Sequence, residues 1–147
     1  MSKILITGGC GFVGTNLVNR LLQDGHQVIV IDDLSSGYKK NLHNDVTFFE
    51  GSIEDDDALS ECFNLKPEYL VHLAALFANQ NSVDHPSKDL SVNGFGTIKI
   101  LEWAKNKGVK KVLYSSSSCV YGNKSMMVES DNDLIPDTPY AITKLLG

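Results

Sequence analysis

Along the chain's 147 residues, apolar positions follow two alternating rhythms. Short, nearly uninterrupted apolar runs occupy 3–7 (KILIT), 27–31 (QVIVI), 46–49 (VTFF), 69–73 (YLVHL) and 109–114 (VKKVLY). Several are too uniformly apolar for a sheet with one wet face, and strands buried on both faces read this way, which predicts a parallel sheet. Between them the spacing becomes helical. Val13, Leu17, Val18, Leu21 and Leu22 form one stripe, and Ala58, Leu59, Cys62 and Phe63 form another. Ser52, with Asp55 three positions later, predicts a capping box opening the second helix. A longer helix is predicted from about Pro86 to Lys107, with Leu90, Ile98, Leu101 and Ala104 on its buried side and Gly108 as its stop. A polar stretch from Ser115 to Pro139 has no clear period, and a loop that long in a compact domain predicts a functional segment. Thr138-Pro139 then marks the N-cap and first turn of a last helix. Strand and helix in alternation predict an α/β fold with a doubly wound parallel sheet, in one domain over residues 1–147.

Gly8, Gly11 and Gly14 fall at three-residue intervals where the first strand gives way to the first helix. At such a turn the first glycine allows the sharp bend, the second lets the backbone approach a diphosphate, and the third packs helix closely on strand. Phe12 and Val13, at the helix N-terminus that faces the phosphates, join them as candidate cofactor contacts. A tight strand-to-helix turn without a ligand is the plainer alternative. The end of the second strand favours the ligand: Asp32-Asp33 lies 18 residues after Gly14, where a carboxylate accepts hydrogen bonds from an adenosine ribose and repels a 2′-phosphate. NAD is therefore expected over NADP. Leu73, Ala74 and Ala75 end the fourth strand, where small side chains leave room for a cofactor and also suit ordinary core packing.

Composition narrows the class further. Apolar residues make up 42% and charged residues 21%, and the longest apolar runs are strand-sized, so no transmembrane span is expected. The start MSKILITGG lacks a signal-peptide layout, so a cytoplasmic location is expected. Cys10, Cys62 and Cys119 are odd in number and far apart, which argues against a disulfide framework or a metal site and reads as buried apolar side chains. Net charge is −5, with basic pairs only at Lys39-Lys40 and Lys110-Lys111, so nucleic acid is not an expected partner.

Tyr140 and Lys144 stand four apart on the last helix and project from one face. An ammonium near a phenol, aided by a cationic nicotinamide, stabilises phenolate and lowers its pKa, so that the tyrosine can take a proton from a substrate hydroxyl. Alone, such a pair, which arises often by chance, reads rather as an exposed i,i+4 contact.

Thr7 to Gly14 (TGGCGFVG), Asp32, HLAA at 72–75, NGFGT at 93–97, SSSSCVYG at 115–122 and PYAITK at 139–144 occur together in order. The set resembles the extended short-chain dehydrogenase/reductase family, within it the NAD-dependent nucleotide-sugar epimerases and dehydratases, and most closely the UDP-glucose 4-epimerase-like branch. The resemblance implies a Rossmann-like fold with NAD as a resident cofactor and a UDP-sugar substrate. It also implies Tyr140 as catalytic base, Lys144 as ligand of the nicotinamide ribose and tuner of Tyr140, and Ser117 as hydrogen-bond partner of the reacting sugar oxygen. Ser115, Asn93, Ser52 and Ile53 join the implied cofactor contacts. Asn93 also reads as a backbone bridge, and Ser115 as a strand-end residue satisfying local backbone. Family members dimerise through a four-helix bundle, to which the long helix and the Tyr140 helix would contribute, so a homodimer is implied.

Three departures refine this expectation. Ser117-Ser118-Cys119 stands where the family's 4,6-dehydratases usually carry Thr-Asp-Glu, which disfavours water elimination. Ser52 replaces an acidic residue that often contacts adenine, and Phe77 replaces a lysine near the cofactor of the best-known 4-epimerases. Family members continue for about another domain beyond the Tyr140 helix. The chain is therefore expected to be an N-terminal portion, truncated before the substrate domain. The alternatives are a non-catalytic NAD-binding fragment, or a dehydratase or reductase of the same family.

Overall fold

A computed structural model of the chain describes residues 1–76, 79–124, 126–130 and 134–147. They divide into two compact units, Met1–Ala74 with Lys99–Tyr114, and Ala75–Ile98 with Ser115–Gly147.

The first unit holds strands β1 (Lys3–Thr7), β2 (Gln27–Asp32), β3 (Thr47–Glu50), β4 (Tyr69–His72) and β5 (Lys111–Tyr114), each within two residues of its predicted run at either end. All pair in parallel, in the order β3-β2-β1-β4-β5. The pleat sends alternate residues to opposite faces. Ile4, Ile6, Val28 and Val30 gather with Val18 of helix α1 (Phe12–Gln23) in one buried cluster. By the same alternation Leu5, Ile29, Ile31 and Leu70 serve the other face, and helix α2 (Asp56–Asn64) packs on β2 and β3. Phe63 of α2 stacks on Trp103, with ring centroids 5.7 Å apart. Two-sided burial is what the uniform apolar runs require.

The cap of α2 differs from expectation. Asp55, not Ser52, is the N-cap: its carboxylate accepts the Asp57 N–H at 2.9 Å and also that of Ala58. Ser52 closes a tight turn just before it, its hydroxyl accepting the Glu54 N–H at 3.1 Å and its carbonyl the Asp55 N–H at 3.1 Å. Asp56 and Asp57 then sit in the first turn, where the helix dipole favours negative charge.

The predicted long helix is three consecutive pieces: α4 (Pro86–Asp89), a π-helical stretch Leu90–Phe95, and α5 (Gly96–Asn106). It stops as expected at Gly108, whose φ is +72°. Its buried side needs correction. Ala104 is buried, but Leu90, Ile98 and Leu101 are exposed. Asp89, Asn93 and Thr97 turn inward in the first part and Ile100 in the second, so the inward face is polar at the start and becomes apolar only later.

In the second unit, helix α6 (Pro139–Leu146) packs on α3 (Asn79–Asp84), on the π-helical stretch and on a 3₁₀ turn at Ser118–Tyr121. Thr138 caps α6 as predicted, accepting the Ala141 N–H at 3.2 Å. The long polar loop is clasped at its base, where the Ile135 N–H donates to the Val120 carbonyl at 3.0 Å.

Candidate functional site

The glycine loop lies at the carboxyl end of β1, beside β4, where strand order reverses. Ligands of open α/β sheets bind at such a point. Gly8 has φ +72°, and a Cβ there would stand 2.6 Å from the Ala74 nitrogen. The Thr7 hydroxyl accepts the Ala74 N–H at 3.1 Å and pairs with His72 Nδ1 at 2.6 Å, so a buried side-chain link fixes the same approach. A Cβ on Gly14 would fall on the Gly8 carbonyl, which makes the third glycine a packing requirement.

Gly11 is different. Its backbone is extended, with φ −74° and ψ 175°, and an added Cβ would meet only the Gly8 carbonyl oxygen, at 3.4 Å. Little within the protein demands glycine here. As N-cap of α1 it offers no side-chain hydrogen bond, and the first turn has no acidic residue. Phe12, 87% exposed, and Val13 stand at the same rim. An open helix N-terminus with an unfilled Cβ position fits the diphosphate of a dinucleotide.

Asp32 is buried beneath this loop. Its Oδ2 accepts the Cys10 N–H and its Oδ1 the Leu34 N–H, both at 2.9 Å. A Cβ on Gly37 would come within 2.7 Å of Cys10, so the segment after β2 presses on the loop. Asp33 is exposed and accepts from Ser35, and Ile53 is buried. Burial pushes the Cys10 thiol up to about 12, with the Asp32 charge adding to it and Lys39 opposing.

In the second unit the structure brings together Ser117, Tyr140 and Lys144. Ser117 precedes the 3₁₀ turn, where its Oγ accepts the Cys119 N–H at 3.2 Å and hydrogen-bonds the Tyr140 phenol. Tyr140 is 7% exposed and Lys144 4%. The Lys144 ammonium donates to the Ser115 carbonyl at 2.8 Å, and the Ser116 hydroxyl donates to the Lys144 carbonyl at 2.9 Å. Burial pushes the Lys144 pKa below its ordinary value, against the Asp89 charge. Opposite to the fall that an ammonium together with a cationic nicotinamide is expected to bring, the Tyr140 pKa rises above its ordinary value in the cofactor-free chain. Its burial disfavours phenolate more than the Ser117 hydrogen bond favours it, and Cys119 and Asp89 raise it further.

Asn93 bridges backbone: its Oδ1 accepts the Leu76 N–H at 2.8 Å and its Nδ2 donates to the Leu76 carbonyl at 3.0 Å. Gly37 and Asp89 lie outside the quoted motifs, and Thr7, His72 and Thr143 lie inside them without an expected role. The available signal was a polar residue closing an apolar strand, or recurring every four positions along a helix. Phe77 lies outside the described residues. Among those residues, no helix is long and apolar enough to cross a membrane.

Residues 4–147 match the family model described as the NAD dependent epimerase/dehydratase family. The chain belongs to that family. It is 41% identical to a UDP-glucose 4-epimerase of Mycolicibacterium smegmatis over 99% of this chain and 49% of that protein. An epimerase structure from Methanothermobacter thermautotrophicus superposes with a TM-score of 0.91 at 47% identity, covering 99% of this chain and 45% of that one. A UDP-glucose 4-epimerase of Thermus thermophilus, solved in complex with NAD, gives a TM-score of 0.91 at 32% identity over 97% of this chain and 47% of that one. The chain spans about half the length of the curated relatives it matches.

Proposed function

We propose that this chain serves an NAD-dependent nucleotide-sugar epimerase acting at C4 of a UDP-sugar, and that it carries the cofactor-binding portion together with Ser117, Tyr140 and Lys144. The observation that carries this reading is Gly11, a glycine with little internal reason at an uncapped helix N-terminus. Gly8, Phe12, Val13 and Gly14 complete the diphosphate cradle. Asp32 and Asp33 serve the adenosine ribose and Ser52 and Ile53 the adenine, and Leu73, Ala74, Ala75, Asn93 and Ser115 are further candidates for cofactor contact.

Bound NAD would supply a reversible hydride acceptor. Tyr140 takes the proton of the C4 hydroxyl and later returns it, while Ser117 hydrogen-bonds the same sugar oxygen. Lys144 holds the nicotinamide ribose and keeps positive charge near the phenol. Ser118 and Cys119 bring no carboxylate to the position where dehydratases use one, which favours epimerisation.

A homodimer is part of the proposal. Leu90, Phe95 (64% exposed) and Ile98 leave an apolar stripe along one helical run, and Ile142, Leu145 and Leu146 leave another on α6. A cytoplasmic workplace accords with three cysteines outside any disulfide, and the net charge of −5 accords with a small-molecule partner in place of nucleic acid.

Calorimetric titration of NAD into this chain tests the cofactor half, with saturable one-site binding expected and absence of binding overturning it. Interconversion of UDP-glucose and UDP-galactose by the full-length protein, with NAD retained through gel filtration, tests the rest.

A further inference from the structure

Asp89 is a buried carboxylate in the second unit, 1% exposed, at the last residue of α4. Each oxygen has a neutral neighbour. Thr143 Oγ1 lies 2.7 Å from Oδ1, and Asn93 Nδ2 lies 2.8 Å from Oδ2. The Asn93 amide cannot be turned round, because its Oδ1 must face the Leu76 N–H. Its Nδ2 therefore donates, and Oδ2 is an acceptor. Thr143 stands on α6 between Tyr140 and Lys144, and its hydroxyl also reaches the Tyr140 carbonyl at 3.1 Å.

A carboxylate taken out of water is costly unless an opposite charge lies near it. Among the described residues of the same unit, the buried cation is Lys144, itself 4% exposed.

We infer that Asp89 is a positioning residue for Tyr140 and Lys144: it ties α6 to the π-helical stretch through Thr143, and its charge balances the buried ammonium of Lys144. The direction of the Asp89 effect on both neighbours agrees, favouring the charged form of Lys144 and the neutral form of Tyr140. Other titratable groups on the packed elements are Asp84 on α3 and Cys119 and Tyr121 on the 3₁₀ turn, with His85 and Lys88 exposed beside Asp89 itself. The inference rests on the proposed function only in taking Tyr140 and Lys144 as the working pair.

The test uses the cofactor-free chain and needs neither NAD nor sugar. The Lys144 ammonium is titrated by carbon-13 lysine NMR in wild type, Asp89→Asn, Thr143→Val and Thr143→Ser. Asp89→Asn is expected to shift the Lys144 midpoint downward, while Thr143→Val, which keeps the charge, moves it less. Amide exchange of α6 is expected to speed up in Thr143→Val and to return towards wild type in Thr143→Ser. Should Asp89→Asn fail to fold, the carboxyl carbon of Asp89 in wild type decides: an ionised signal at pH 7 upholds the inference. A protonated Asp89 at pH 7, or an unmoved Lys144 midpoint in a folded Asp89→Asn, overturns it. A downward shift without NAD binding would uphold Asp89 while the cofactor reading fails.

Discussion

The Cys10 N–H donates to the Asp32 carboxylate at 2.9 Å, so the acid at the end of β2 supports the glycine loop even without a ligand. The other oxygen holds Leu34, whose φ of +58° is a left-handed conformation uncommon for leucine. Asp32→Ala is therefore expected to lower the stability of the cofactor-free chain by about 1–3 kcal/mol, the cost of stripping a buried charged hydrogen bond. Urea denaturation without NAD measures it. A residue serving only the ribose would leave that curve unmoved.

Gly11 and Gly14 separate ligand from packing. Gly11→Ala is expected to fold, losing no more than about 1 kcal/mol as an N-cap change, yet to bind NAD at least about tenfold more weakly, a loss of about 1.4 kcal/mol. Gly14→Ala drives a Cβ into the Gly8 carbonyl, and the backbone on both sides leaves no room. Its melting temperature is expected to drop well below that of Gly11→Ala. Thermal melts paired with NAD calorimetry compare the two, and equal NAD affinity in Gly11→Ala and wild type would contradict the diphosphate assignment.

Tyr140 connects cofactor binding to acid–base chemistry. Its phenol is held above the ordinary value of 10.0, chiefly by burial, so the cofactor-free chain keeps the proton. A cation brought near stabilises phenolate, so NAD binding is expected to shift the Tyr140 titration downward. Ultraviolet difference titration with and without NAD, using Tyr140→Phe to assign the signal, reads the shift. Stability carries the matching sign. A raised acid contributes fully below its unfolded value and loses that contribution as pH climbs through the folded one, so stability is expected to fall above about pH 10.

The strands and the glycine loop were legible because their causes are local. A run such as QVIVI can bury both faces only in a covered sheet, and Thr138-Pro139 carries its own capping geometry. What was hidden depends on partners distant in sequence. Asp89 and Asn93 read as part of a wet helix face, yet they are buried with Thr143, 54 residues from Asp89, and the Leu76 backbone completing their hydrogen bonds, while Thr97 donates to the Asn93 carbonyl. Ser52 lost the cap of α2 to Asp55 because a turn intervenes, which residue spacing alone does not reveal. Tyr140 and Lys144 stand out through the family resemblance of PYAITK and its companion motifs, not through four-residue spacing alone, and the sign of the Tyr140 shift follows from burial that only packing decides.

Trp103 is the single tryptophan, and its Nε1 donates to Asp56 Oδ1 at 3.1 Å while Lys99 approaches Oδ2 at 3.0 Å. These two donors hold the Asp56 carboxyl below its ordinary value of 3.8. A depressed carboxyl contributes stability above its unfolded value and loses it as pH falls through the folded one. Tryptophan emission is therefore expected to stay constant from neutral pH down past the ordinary carboxylate range, and to change only below it. Asp56→Asn keeps an acceptor for the indole but removes the charge, so the step is expected to vanish while the stack of Trp103 on Phe63 survives. A step at the ordinary carboxylate position, or one that persists in Asp56→Asn, would assign the signal elsewhere and leave Asp56 without an electrostatic hold on the junction of α2 and α5.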